Sequence, residues 1–226
     1  MSFSKMNWME VEEYLKKDDR ILLVLGATEQ HGYLSVTTDI DIPQALADEA
    51  SERSGVVVAP PLNFGISPYF LDYPGTVSFR VSTFLDAVED ILRSLYRQGF
   101  RRFVVVNGHG GNEAARSRIV ELLNDLSEMK VAWYSWWVAP SVSRVAESHG
   151  LQSHHAAWIE AFSFVHRKDL PLGGKESLVA KTLMGAGETR EFAGDGVYGG
   201  PYQVNRQIMD DIFNAALNDI LDLLKG

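Results

Sequence analysis

Three short segments of this chain combine residue types and spacings suited to metal chemistry. The first is Glu29-Gln30-His31-Gly32, followed across a polar loop with Thr37 and Thr38 by Asp39. Alternate residues of an extended segment point to the same side, so Glu29 and His31 can face one cavity. A carboxylate, an imidazole and a second carboxylate suit a hydrolytic divalent metal. The two oxygens of a carboxylate also allow it to bridge a pair of ions. Taken alone, the same residues fit a plainer account: Glu29 caps its loop, Asp39 caps the next helix and His31 lies at the surface.

The second segment is Asn107-Gly108-His109-Gly110-Gly111-Asn112. Glycines let the backbone approach a ligand closely and adopt positive φ. A phosphate cradle is the competing idea, but neither the dinucleotide fingerprint nor the phosphate-loop spacing with Lys-Ser/Thr is present. A histidine among the glycines suits a metal ligand or an acid–base group better, and a purely structural turn remains open. The third segment is His154-His155-Ala156-Ala157-Trp158-Ile159-Glu160. Residues i and i+5 do not share a helix face. His155 and Glu160 reach one site only if His155 lies at the entry of a helix and Glu160 within it. A solvated Glu on that helix is the alternative. Of six histidines, His31, His109, His154 and His155 all fall in these segments. His149 lies in a nearby loop and His166 reads as a surface residue.

The first two segments follow apolar runs, Ile21–Leu25 and Phe103–Val106, that read as buried strands. Both would therefore sit at the carboxyl edge of a parallel sheet, where open α/β folds bind ligands. Around them the hydrophobic spacing predicts helices over 6–17, Pro43–Ser54, Ser82–Gln98, Glu113–Met129, His155–Phe164 and Gln207–Leu224, with Gly99 as a C-cap. Strands are predicted at Ile21–Leu25, Val56–Ala59, Val77–Phe79, Arg102–Val106 and Val131–Trp136. Residues 61–80 and 136–153 carry loop signals. Alternation of strand and helix gives an α/β class with a mainly parallel sheet and helices on both faces. No repeat or linker-like break divides residues 1–226, so one domain is expected.

The chain has 226 residues, is 46% hydrophobic and 23% charged, and carries a formal net charge of −9. An acidic chain without a Lys/Arg cluster is a poor match to nucleic acid or an anionic membrane. With no cysteine, a metal must use His, Asp and Glu, a set that suits Zn, Mn or Fe. No basic-then-apolar leader and no span-length apolar run is seen, so a cytoplasmic location is expected.

Taken in order, Glu-Gln-His-Gly…Thr-Asp, Pro-Gly-Thr, Asn-Gly-His-Gly-Gly-Asn and His-Ala-x-x-x-Glu resemble the motifs of the creatininase (creatinine amidohydrolase) family. The match runs from about residue 20 to 160, with a weaker echo at Gly196-Val197-Tyr198-Gly199. The resemblance implies a three-layer α/β/α sandwich with two divalent metals per subunit, zinc first, with manganese or iron as alternatives. It implies that Glu29 and His109 hold one metal, that His31 and Glu160 hold the other, and that Asp39 bridges them. His155 would be the acid–base or substrate-positioning group. A homo-oligomer, favouring a hexamer, is implied as well.

The departures bear on substrate. In the family's name-giving enzyme Tyr and Glu stand where this chain has Gly110 and Gly111, and a Trp stands at Leu151. Its first loop is one residue longer than the one holding Tyr33-Leu34, and Trp137 matches another family Trp. The metal site is thus expected to be kept and the creatinine pocket to be altered. The expected reaction is hydrolysis of a non-peptide C–N bond in a small amide by a metal-activated water. Gly110 and Gly111 would supply N–H groups, with Trp136, Trp137 and Trp158 as an apolar wall. The rivals are a formamide hydrolase acting on a ring-opened purine or a flavin/deazaflavin pathway intermediate, a cofactor-maturation peptidase, a non-catalytic metal-binding subunit and a nucleotide-binding module.

Overall fold

The computed structural model describes residues 1–226. In chain order the elements are α1 (Trp8–Leu15), β1 (Arg20–Leu25), α2 (Thr38–Ser54), β2 (Val57–Val58), α3 (Val81–Gln98), β3 (Arg102–Asn107), α4 (Ala115–Asp125), β4 (Lys130–Ser135), α5 (Pro140–Ser148), β5 (Gly174–Lys175), α6 (Ala186–Ala193), β6 (Gly200–Pro201) and α7 (Arg206–Leu223). β2, β1, β3 and β4 form a parallel sheet in that order, and β5 and β6 pair separately as a short antiparallel ribbon.

The strands have two buried faces, which is why they read as unbroken apolar runs. Ile21, Leu23 and Leu25 of β1 pack with Phe103 and Val105 of β3 under α3 and α4. Leu22 and Val24, with Val104 and Val106, face α2, α5 and α7. A slip of one residue would exchange these sets between the two helix layers, so the packing fixes the register. After β1 the chain passes through α2 to β2 on one side. It then crosses back through α3 to β3 on the other side of β1. The order reverses between β1 and β3, and their carboxyl ends are level, with Leu25 opposite Asn107. A ligand site is expected at such a switch point.

The three-layer expectation holds, but several elements differ in detail. α2 begins at Thr38 rather than Pro43, which puts Pro43 inside the helix. Pro43 has no N–H to give the carbonyl of Asp39. That carbonyl instead lies against Gly26 and Gly108, where a Cβ would come within 2.7 and 2.0 Å of it. The expected helix from Glu113 opens as a 3-10 turn, Gly110–Ala114, before α4. The strand expected at Val77–Phe79 is reduced to isolated bridges, Thr28 with Val77 and Gly65 with Ser78. The helix expected over His155–Phe164 is absent. Ala156 has φ 58°, in the left-handed region that breaks a helix, and only the 3-10 turns Trp158–Glu160 and Ser163–Val165 follow. Within the presumed loop 136–153, α5 starts on Pro140. No helix is long and apolar enough to cross a membrane.

Candidate metal centre

The cluster forms at the β1/β3 switch point from four stretches of chain. Glu29 and His31 follow β1, where Glu29 N–H bonds to the Val36 carbonyl. Asp39 lies in the first turn of α2, where free helical N–H groups favour a negative charge. His109 lies two residues past the end of β3. Glu160 ends the turn Trp158–Glu160, and its Oε2 accepts a 2.6 Å bond from Ala156 N–H. Glu29, His31, Asp39, His109 and Glu160 are all buried.

Asp39 is the centre of the arrangement. Its Oδ1 lies 2.9 Å from His31 Nε2 and its Oδ2 lies 2.9 Å from His109 Nδ1. Glu29 Oε1 approaches His109 Nδ1 at 3.5 Å, and Glu160 Oε1 approaches His31 Nε2 at 3.6 Å. Donor atoms of two trios, Glu29–Asp39–His109 and His31–Asp39–Glu160, each lie within 4.8 Å of one another. The trios share only Asp39.

The outer nitrogens of both imidazoles are tied to backbone. His31 Nδ1–H donates to the Glu29 carbonyl at 3.2 Å, and His109 Nε2–H donates to the Ile66 carbonyl at 2.8 Å. The site-facing nitrogens, His31 Nε2 and His109 Nδ1, are left with lone pairs when neutral. Such second bonds are how metal-binding histidines are oriented. With the imidazoles neutral, Glu29 Oε2, His31 Nε2 and Asp39 Oδ2 are buried without a hydrogen-bond partner. Each such atom costs about 1–3 kcal/mol if left unsatisfied. Grouped in one buried cluster with only N and O donors around, they fit divalent cations of the zinc or manganese kind.

The electrostatics agree. Burial pushes the Glu29 carboxyl up to about 7. Burial also opposes a charge on His109, but Glu29 and Asp39 outweigh it and hold the imidazole up at about 9. Asp39 and Glu160 likewise outweigh burial and raise His31 well above its ordinary value. Burial opposes ionisation of Asp39, yet the two imidazoles hold it well below the usual carboxylate range. The cluster needs positive charge, which protons supply in the metal-free protein and divalent ions supply otherwise.

His155 sits beside the trios. Its Nδ1 is 3.8 Å from Glu29 Oε1 and its ring stacks on Phe70 at 4.8 Å. Burial, then the positive charge of His31, push it well below its ordinary value, so it is a neutral imidazole. A cavity of about 530 Å³ opens over Glu29, Asp39, His109, His155 and Glu160. Gly110 and Trp137 line it, and no Lys or Arg does.

Three expectations give way here. Trp158 is fully buried in the core, with Nε1–H bonded to the Gln152 carbonyl, and does not line the cavity. Gly111 faces the backbone instead: a Cβ there would meet the Ile66 carbonyl at 2.0 Å and His109 Nε2 at 2.6 Å. It makes room for the bond that orients His109. Trp136 is also a core residue.

Other residues of the site had weaker signals. Asn107 Oδ1 accepts from His109 N–H at 3.2 Å and from Asn112 Nδ2 at 3.3 Å, while Asn107 Nδ2 donates to the His109 carbonyl at 2.9 Å. The two asparagines that flank His109 in sequence therefore clamp its loop. Tyr69, Phe70 and Tyr198 complete an aromatic wall. Tyr69 and Phe70 lie in the 3-10 turn Pro68–Phe70, which no periodicity marks, and Tyr198 lies in the weak motif echo at Gly196–Gly199.

A parallel sheet with a paired acid–histidine cluster at its switch point defines an α/β metal-site protein. The family model described as creatinine amidohydrolase matches residues 4–224, and the chain belongs to the creatininase family. The creatinine amidohydrolase of Pseudomonas putida is 32% identical over 146 residues, covering 59% of this chain and 56% of that protein. The mycofactocin precursor peptide peptidase of Mycolicibacterium smegmatis is 39% identical over 113 residues, covering 46% and 44%. The chain thus spans about half the length of the curated relatives it matches. A crystal structure of creatinine amidohydrolase (creatininase) superposes with a TM-score of 0.85 at 23% identity, covering 99% of this chain and 96% of that one. Two other solved creatininase structures are described as of Zn-Zn type and as Mn.

Proposed function

We propose that this chain is a metal-dependent hydrolase of a C–N bond in a small amide. The reading is carried by Asp39, whose two carboxylate oxygens each face the lone-pair nitrogen of a different histidine. Glu29 and His109 would hold one divalent ion with Asp39, and His31 and Glu160 a second. When bound, such a pair supplies Lewis acidity toward a carbonyl and lowers the pKa of a water to near neutrality. The chain's own residues do the rest. His155 presents an N–H to the amide, where it can hold an oxygen on which charge develops or meet the leaving nitrogen. The apolar shell of Tyr69, Phe70, Trp137 and Tyr198 excludes water and suits a flat, uncharged substrate. Zinc is the first choice of metal, with manganese or iron as alternatives.

The relatives act on different compounds, so the family does not choose the substrate. Gly110 leaves open space, with Trp137 Cζ2 at 3.9 Å as the nearest atom to a Cβ placed there. A cavity of this volume accepts ligands larger than one small ring, which favours a formamide on a larger scaffold or a peptide end over creatinine. Self-association, up to a hexamer, is part of the proposal. Leu172, Val179 and Leu183 stand 91%, 73% and 102% exposed, and Leu183 lies at the mouth of the cavity.

The test is metal analysis of the purified protein, then assays on creatinine, a ring-opened formamidopyrimidine and short peptides. Two ions per chain are expected, with cleavage lost to chelator and restored by Zn or Mn. Asp39→Ala should lose both ions and all turnover. Full turnover by that variant, or by protein stripped of metal, would overturn the reading.

A further inference from the structure

We infer that Gln30 is a positioning residue that decides which nitrogen of His155 carries the proton, keeping His155 a donor at the cavity and outside the metal ligand set. The kinetic part of this inference rests on the hydrolase reading; the structural part does not.

Gln30 is buried, 5% exposed, and its amide orientation is set by two backbone groups. Gly32 N–H donates to Oε1 at 3.1 Å, and only an oxygen can take that bond. Nε2 donates to the Gly196 carbonyl at 3.1 Å, and only the NH2 can give that one. The other hydrogen on Nε2 then meets His155 Nε2 at 2.8 Å, which must accept. A neutral imidazole has one donor and one acceptor. The His155 proton therefore sits on Nδ1, 3.8 Å from Glu29 Oε1.

The alternative tautomer has a clear consequence. By spacing alone, Glu29, His31 and His155 form a third trio able to hold a metal. A lone pair on His155 Nδ1 would complete it and compete with the two trios that share Asp39. The hydrogen bond from Gln30 occupies the lone pair on Nε2 and leaves none on Nδ1. The surroundings are built for this contact. Gly196 has φ 88°, and a Cβ there would come within 1.8 Å of Gln30 Oε1. Phe70 stacks on the His155 ring with planes 18° apart while Tyr198 meets it edge-on at 5.6 Å, so the ring plane is fixed as well.

The experiment uses zinc-loaded protein labelled with nitrogen-15 in histidine, as wild type and as Gln30→Met, which keeps volume and removes the donor. In wild type the nitrogen spectrum should show His155 Nε2 unprotonated and Nδ1 protonated. In Gln30→Met the His155 pair should shift toward the other tautomer. On any amide the wild type cleaves, kcat should fall about 10- to 100-fold with KM unchanged. His155→Asn places an amide nitrogen where Nδ1–H stood, so in that background adding Gln30→Met should cost nothing further. A wild-type spectrum with Nε2 protonated overturns the inference, as do unchanged His155 signals in a folded Gln30→Met. If that variant does not fold, the wild-type spectrum still decides. No turnover is needed for the spectrum, so failure of the hydrolase reading is a separate result.

Discussion

At the residue scale, two neighbouring glycines have opposite duties. Gly110 opens onto the cavity, whereas Gly111 has backbone and the His109 ring within 3 Å of any added Cβ. Gly110→Ala should therefore leave stability nearly unchanged and alter only substrate preference. Gly111→Ala should cost about 3 kcal/mol through overpacking and weaken the ion held by His109, as thermal melts and metal content would show. Equal effects of the two substitutions would refute this division. The sequence marks the pair as special but not as different, because the distinction depends on Ile66, which the fold brings in from far along the chain. Trp158 teaches the same lesson. Its place in the His155 motif suggests a substrate wall, yet its indole is fully buried in the core, two residues past the positive φ of Ala156.

At the scale of elements, the strands were legible because each is apolar through its whole length. The helices that begin on atypical signals were less so. α2 carries a proline in its interior, which normally marks a start, so from sequence alone its first turn and Asp39 fall outside the helix. α5 has few apolar positions, which left it looking like a loop. The candidate ligand residues are readable since each follows a strand or stands in a distinctive motif. Their grouping into two trios was implied by resemblance, and the close approach of the donor atoms depends on how α2 seats against the sheet. That seating can be tested. Gly108 touches the Asp39 carbonyl so closely that a Cβ would lie 2.0 Å away. On the proposed two-ion centre, Gly108→Ala should push the start of α2 outward, cost about 3 kcal/mol and deplete both ions together, because both would depend on Asp39. Loss of one ion alone would show that the two trios do not share this hinge.

At the scale of the whole molecule, the cluster couples stability to metal and to pH. An ion at 100 times its Kd adds about 2.7 kcal/mol, which for a chain of this size raises Tm by roughly 5–11 °C. Scanning calorimetry with and without chelator measures it. In the metal-free protein, His109 is raised to about 9 from its ordinary 6.5. Its stabilisation is complete below about pH 6.5 and is lost as pH rises through 9. Glu29, raised to about 7 from 4.5, acts in the same sense across its own range. Asp39 is lowered, so its contribution is present in neutral solution and lost in acid. Chelated protein should thus melt at a lower temperature at pH 9 than at pH 6. Metal affinity should move the other way, rising with pH as the ion displaces these protons. A flat melting profile for chelated protein would count against the assigned charges.

The ligands are drawn from as far apart in the chain as Glu29 and Glu160, and Glu160 is aimed by Ala156 after all four sheet strands have been made. This gives the centre a place in time as well as in space. A nascent chain halted before residue 155 lacks Glu160, so the His31–Asp39–Glu160 trio cannot yet exist. Uptake of the full complement of ions should lag behind formation of the sheet during refolding, and stopped-flow traces of a zinc indicator and of tryptophan fluorescence would separate the two.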